Sequence, residues 1–248
     1  MWKLFLMYSS ISIEKKACKS KRQSHRIFVL MKKSNAFFFL LFLSQIICAQ
    51  KKAIKKVQTN ATHVEISTLG LDDFVLENSG SEFLEIYLSA ENPSKQHIIF
   101  SVSEATAKIE FQIPAMSTEE PVFRKFITKR LQRASAIIKI PKNKAVIIFG
   151  EEINVSAKSY GGPLDIYIEK GLIKLDTIQK RTKVKFYEGS VFATLKARNI
   201  DVTSTRGTIA VNKEIQQENF YKKTKNTFQN LTIRTTKGNI FLTTLKPQ

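Results

Sequence analysis

The chain has 248 residues, 40 Lys and Arg against 21 Asp and Glu, and a formal net charge of +19. That length holds one large or two small domains. Its two cysteines, Cys18 and Cys48, both fall in the opening segment, which excludes disulfide and redox chemistry from everything that follows.

From Met31 the sequence runs Met-Lys-Lys, then Ala36-Phe37-Phe38-Phe39-Leu40-Leu41-Phe42-Leu43, and reaches Ile47-Cys48-Ala49-Gln50. A charged start, an apolar run too short to span a bilayer comfortably and a small residue before the cut describe a secretory signal. Residues 1–49 are therefore expected to be an N-terminal extension plus signal peptide, with Met31 as the true start, cleavage after Ala49 and no membrane span left afterwards. The alternatives are an uncleaved anchor and lipidation at Cys48, which Ile47 disfavours because lipoprotein signals place a small residue there.

Beyond the cut the chain keeps 31 of the 40 Lys and Arg and 20 of the 21 acids, a net of +11. Residues 61–120 hold 2 Lys and 11 acids, net −9, whereas residues 121–248 hold 25 Lys and Arg against 9 acids, net +16. Such a step either draws anionic polymers and lipid headgroups to one end or keeps an exported protein soluble through two solvated faces. Residues 50–60, with Lys51, Lys52, Lys55 and Lys56, read as a mobile basic tail.

Period-two alternation begins at His63: Val64 and Ile66, then Phe74 and Leu76, then Leu84, Ile86 and Leu88, with turns at Gly70 and at Asn78-Ser79-Gly80-Ser81. Two more strands follow, at 98–101 and 107–113. The rhythm changes near residues 119–134, where Val122, Phe123, Phe126, Ile127, Leu131 and Ala134 fall at steps of three and four. This spacing predicts one inserted amphipathic helix whose other face carries Arg124, Lys125 and Lys129. Those cations are candidate contacts for an anionic membrane or glycan, unless the helix only packs its aromatic face on the strands.

Alternation resumes at Ile137-Ile138-Lys139-Ile140, turns at Pro141-Lys142-Asn143-Lys144, and continues through Ala145-Val146-Ile147-Ile148-Phe149-Gly150. From Leu164 one unit recurs, in which alternating apolar residues flank a glycine: Ile166 and Ile168 before Gly171, Val184 and Phe186 before Gly189, Ile200 and Val202 before Gly207, Leu231 and Ile233 before Gly238. Gly171, Gly189 and Gly207 are each 18 residues apart. A fixed period of that size predicts an all-β chain folded as a single-stranded β-solenoid, a β-helix-like stack of short strands over residues 61–248. Strands about five residues long with outward Asp165, Glu169, Lys185, Asp201 and Arg234 do not suit an outer-membrane barrel, whose strands run to roughly ten.

This arrangement resembles the putative adhesin domain, a bacterial β-solenoid family of largely unassigned function. The likeness covers residues 61–248 and is firmest from Ile137 onward. The chain departs from the family's units in having few Asn-Gly or Asp-Gly pairs, an inserted helix and a gap of 31 between Gly207 and Gly238. The resemblance implies an exported binding protein, periplasmic or on the surface of a Gram-negative bacterium.

The gap exceeds the period by 13 residues, so 212–230 is expected to leave the stack as a loop. Insertions in repeat folds gather on one face, often the binding face. Phe220 and Tyr221 lead there into Lys222, Lys223 and Lys225, so Tyr221 and these lysines are candidate contacts for an acidic sugar or lipid. The plainer reading is a mobile loop whose aromatics cover the stack's edge.

Catalytic constellations are absent from the sequence. His63 and His97 lack a third ligand at metal spacing, and no Gly-x-Ser-x-Gly elbow, phosphate loop or His-Glu-x-x-His occurs. The acid pairs Asp72-Asp73, Glu119-Glu120 and Glu151-Glu152 are sequence neighbours, which in a strand point to opposite faces. The sequence therefore points to a non-catalytic binding or adhesion module with no cofactor and no metal. Its expected partner is an anionic envelope polysaccharide, a lipid or an envelope protein, not nucleic acid. A carbohydrate-active enzyme on the same scaffold and a periplasmic structural bridge are the competing readings.

Overall fold

The structure is a computed structural model that describes residues 52–90, 92–113, 134–196, 198–224 and 230–245. The chain divides into two units, Met1–Gln50 and Lys51–Gln248, and all described residues belong to the second. In chain order the strands are β1 (Lys52–Gln58), β2 (His63–Ser67), β3 (Asp73–Asn78), β4 (Phe83–Ser89), β5 (Ile98–Ser103), β6 (Thr106–Phe111), β7 (Ser135–Ile140) and β8 (Ala145–Glu152). They continue as β9 (Asn154–Lys158), β10 (Leu164–Ile178), β11 (Thr182–Leu195), β12 (Asn199–Ser204), β13 (Ile209–Val211), β14 (Glu214–Gln216), β15 (Asn219–Lys222) and β16 (Asn230–Thr244). A 3-10 turn at Lys95–His97 precedes β5, and there is no α-helix among the described residues. The helix expected near 119–134 lies outside them except for Ala134, which is irregular and leads into β7.

The described residues are all-β, and their sheet wraps around one core until it is nearly closed. Six strand-corner-strand units stack in parallel, in the spatial order β2/β3, β8/β9, β10, β11, β16 and β12/β13, and β6 and β7 extend the two walls in parallel beyond β2 and β3. The first strands of the units form one wall. Across it Ile109, Ile66, Ile148, Ile166, Val184, Ile233 and Val202 stand in register, all fully buried. The second strands form the opposite wall, where Ala136, Phe74, Val155, Ile173, Val191, Ile240 and Ile209 make a matching buried row. The two rows meet in a single cluster, and each large aliphatic side chain buried there contributes about 1.5–3 kcal/mol.

Glycine makes the corner between the walls. Gly171 and Gly189 have φ of +149° and +131°, and a Cβ at Gly189 would lie 2.0 Å from the carbonyl oxygen of Gly171. Neighbouring backbones thus approach through the space a side chain would need. Because pairing continues through this corner, β10, β11 and β16 are unbroken strands of 15, 14 and 15 residues, not the short strands of about five that the glycines suggested.

Three other expectations change. The units stack in parallel as the 18-residue period demands, yet not in chain order: Gly189 pairs with Gly238, so β16 is inserted between β11 and β12/β13. The excursion at 212–230 is not a loop in its described part. Asn212 and Lys213, both at positive φ, turn the chain back so that β14 pairs antiparallel with β13, and β15 then pairs antiparallel with β12. The basic tail is strand β1, antiparallel to β4, with Ala53 buried and Lys56 paired to Glu85 at 2.8 Å. At the other end of the stack β4 and β5 pair antiparallel with β7 and β6. Both ends of the parallel stack are therefore covered by reversed strands, which hides the open ladder of the last parallel strand from other chains.

Candidate binding surface

Residues that alternate with the buried row of the first wall face outward, and the parallel register lines them up across strands. One such row is Phe149 on β8, Tyr167 on β10, Lys185 on β11, Arg234 on β16 and Thr203 on β12. Two positions further along, Glu169, Tyr187, Thr236 and Thr205 face the same way, and the two rows, apart from Phe149, border an open groove of about 640 Å³. Phe149 and Tyr167 stack with ring centres 5.5 Å apart and planes at 17°. Phe149 keeps 41% of its surface exposed and Tyr187 50%, both high for rings held on a sheet.

Cations surround these rings. The ammonium of Lys183 lies 5.8 Å from the centre of Tyr167, and that of Lys237 lies 5.3 Å from the centre of Tyr187, within the range of a cation–π contact. Arg234 donates to the Asp201 carboxylate at 2.6 Å, and Arg181 holds Asp165 at 3.0 Å. Exposed rings, threonine hydroxyls and fixed charges together suit a polyhydroxylated ligand: ring faces cover its apolar patches while the polar groups meet its hydroxyls.

The predicted contact residues are divided by the strand that carries them. Tyr221 is 67% exposed on β15, directly across from Asp201, so it stands at the margin of the same outward face. Phe220 turns inward against the core, and Lys222 lies across from buried Ile200, on the opposite side from Tyr221. Lys223 is exposed just beyond the strand. Tyr221 and Lys222 therefore do not form one site, because neighbours in a strand point apart. Lys225, Arg124, Lys125 and Lys129 lie outside the described residues.

Phe149 and Tyr187 were not singled out from sequence, and Lys185 was noted only as an outward charge. A signal was present. Phe149, Tyr167 and Lys185 are separated by the same 18 residues as the corner glycines, as are Glu169 and Tyr187. On the other wall Phe192 and Phe241 stack at 4.8 Å on the outer side, away from the groove. His63 meets Thr62, and His97 accepts from the backbone of Ser94; among the described residues no group of three His, Cys, Asp or Glu could hold a metal ion. No described helix is long and apolar enough to cross a membrane.

No protein-family model matches the chain, and no curated protein does. Among solved structures the chain is similar to a putative cell adhesion protein from Clostridium sporogenes, at 15% identity and a TM-score of 0.55, over 79% of this chain and 99% of that one. The two proteins share a fold. A putative adhesin from Bacteroides fragilis is also similar, at 14% identity and a TM-score of 0.34, over 79% of this chain and 98% of that one. The resemblance first read from the glycine-spaced units thus holds at the level of fold.

Proposed function

We propose that this chain is an exported β-solenoid protein of the cell envelope, periplasmic or on the surface of a Gram-negative bacterium, that binds an anionic glycan without cleaving it. The observation that carries the reading is the outward row of Phe149, Tyr167, Lys185 and Arg234 with Tyr187 beside it. Stacked and exposed rings next to cations and hydroxyls match what a charged sugar presents. A fold shared with a protein described as a putative cell adhesion protein is in keeping with this. Export rests on the sequence between Met31 and Ala49.

The enzyme reading is weaker on the same geometry. Glycoside hydrolysis places two carboxyl groups on either side of the bond, about 5–10 Å apart. Among the described residues Glu169 is the one carboxylate that lines the groove.

The test is a glycan array probed with the full chain, beside a hydrolysis assay on the glycans that bind. Binding without new reducing ends is expected, weakened by Tyr187→Ala and Phe149→Ala and untouched by Phe192→Ala on the far wall. New reducing ends would make the protein an enzyme. Binding to anionic vesicles but to no glycan would move the site to lipid. For export, mass spectrometry of protein from the native cell should find a mature chain that starts at Gln50.

A further inference from the structure

The cations in and beside the groove are engaged within the protein, with one exception among the described residues. Arg234 donates to the Asp201 carboxylate at 2.6 Å, to the Asp201 carbonyl at 2.9 Å and to the Ile233 carbonyl at 3.1 Å. Lys183 and Lys237 lie over rings. Lys185 is exposed and has no ion pair, ring contact or hydrogen bond among the described residues. It sits across from Tyr167 on one side and Arg234 on the other, with Tyr187 two positions along its own strand. From strand spacing and rise, the Cα atoms of Tyr167 and Tyr187 are about 8 Å apart.

We infer that Lys185 is the specificity-determining cation of the groove, and that the ligand it selects is a uronate, a sugar acid with one carboxylate on a ring that the tyrosines cover. This rests on the glycan reading above and makes it narrower. An ammonium is a compact charge with three donors, enough for one carboxylate. A phosphomonoester, at a charge of about −1.5 to −2 near neutral pH, calls for more than one free cation or for a bidentate guanidinium. Arg234, the guanidinium at hand, is held by Asp201. An anionic bilayer is met by several cations together, whereas this one stands in a concavity. Thr203, Thr205 and Thr236 then face the ring hydroxyls, and Glu169 accepts from another.

The experiment compares trigalacturonate with its methyl ester, which has the same sugars without the charge, on the full chain by calorimetry. The acid should bind about tenfold more tightly than the ester, the scale of one charge-assisted hydrogen bond. Lys185→Gln should bring the acid down to the affinity of the ester and leave the ester unchanged. Lys185→Arg should keep most of the preference, which separates loss of charge from damage to the strand. Both variants should melt with the parent, because the side chain is exposed. Equal affinity for acid and ester in the parent overturns the uronate inference while glycan binding stands, and so does a preference that survives Lys185→Gln. If neither trisaccharide binds and the array is blank as well, the glycan reading itself has failed and takes this inference with it.

Discussion

Gly189→Ala tests the corner between the walls more directly than any core substitution. The residue has φ +131°, and a Cβ there would lie 2.0 Å from the carbonyl oxygen of Gly171 and 3.0 Å from its carbon, both of them backbone atoms. The conformation alone costs an alanine about 1–3 kcal/mol. Forcing apart two paired strands to admit the methyl adds about 1–3 kcal/mol. A total near 4 kcal/mol is a large share of the roughly 5–15 kcal/mol that holds a domain together. With a urea dependence of about 2 kcal/mol per molar, the unfolding midpoint should fall by about 2 M. The control is Gly80→Ala, in a turn where the new methyl has nothing within 4 Å, so its midpoint should match the parent's. If Gly189→Ala unfolds together with Gly80→Ala, the strands do not stack backbone to backbone at Gly189, and the parallel units are wrongly placed.

Other outcomes follow from packing and charge. Ile166→Ala, in the middle of the buried row, should cost about 2–5 kcal/mol in denaturant unfolding, against almost nothing for Ile215→Ala, which is 77% exposed. Arg198 is buried and donates to the carbonyls of Ile178 and Lys180, so Arg198→Met should cost about 2–3 kcal/mol by leaving them unsatisfied. Glu85 accepts from Lys56 and from the Tyr87 hydroxyl, which hold its carboxyl below the usual range. A carboxyl depressed on folding stabilises above its unfolded pKa and loses that contribution as pH falls through the folded value. The melting temperature of Glu85→Gln should therefore fall less than the parent's on acidification, and parallel acid limbs would show that the pair contributes nothing. In the alkaline direction Lys56, raised by the same hydrogen bond, stabilises below its ordinary pKa and stops doing so as pH rises through the raised one.

The alternation of side chains was enough to place Ile166, Val184, Ile233 and Val202 inside and Asp165, Tyr167, Lys185 and Asp201 on the outer side. It could not fix which unit lies beside which. Val184, Ile233 and Val202 are β-branched and occupy the same phase of their units, so the pattern makes them interchangeable neighbours, and chain order was the default. Strand β1 was hidden for a different reason. Its lysines look like a solvated tail, but Lys55 reaches the carbonyl of Ile98 at 2.9 Å and Lys56 reaches Glu85, so their charges are used at the edge of the sheet. The hairpin from β13 to β14 carried a partial signal, since Asn212 suits the positive φ that such a turn needs, whereas Lys213 in the second place is not the usual glycine. The groove was legible only with the register in hand, because its residues come from five strands spread between Gly150 and Thr236.

The position of β16 sets an order of assembly that differs from the order of the sequence. A chain that emerges from its N-terminus presents β12 to β15 before β16 exists. Until then β11 ends in an unpaired ladder, and among the described residues no other strand joins β12 or β13 to the rest of the sheet. Residues 199–222 have to wait, with an open strand edge that can take up another chain in place of the missing one. Contacts that close so late, between segments so far apart, form slowly. Vectorial synthesis or passage through a membrane pore therefore leaves this protein with its last unit undocked for longest, and β16, once placed, secures both flanks in a single step.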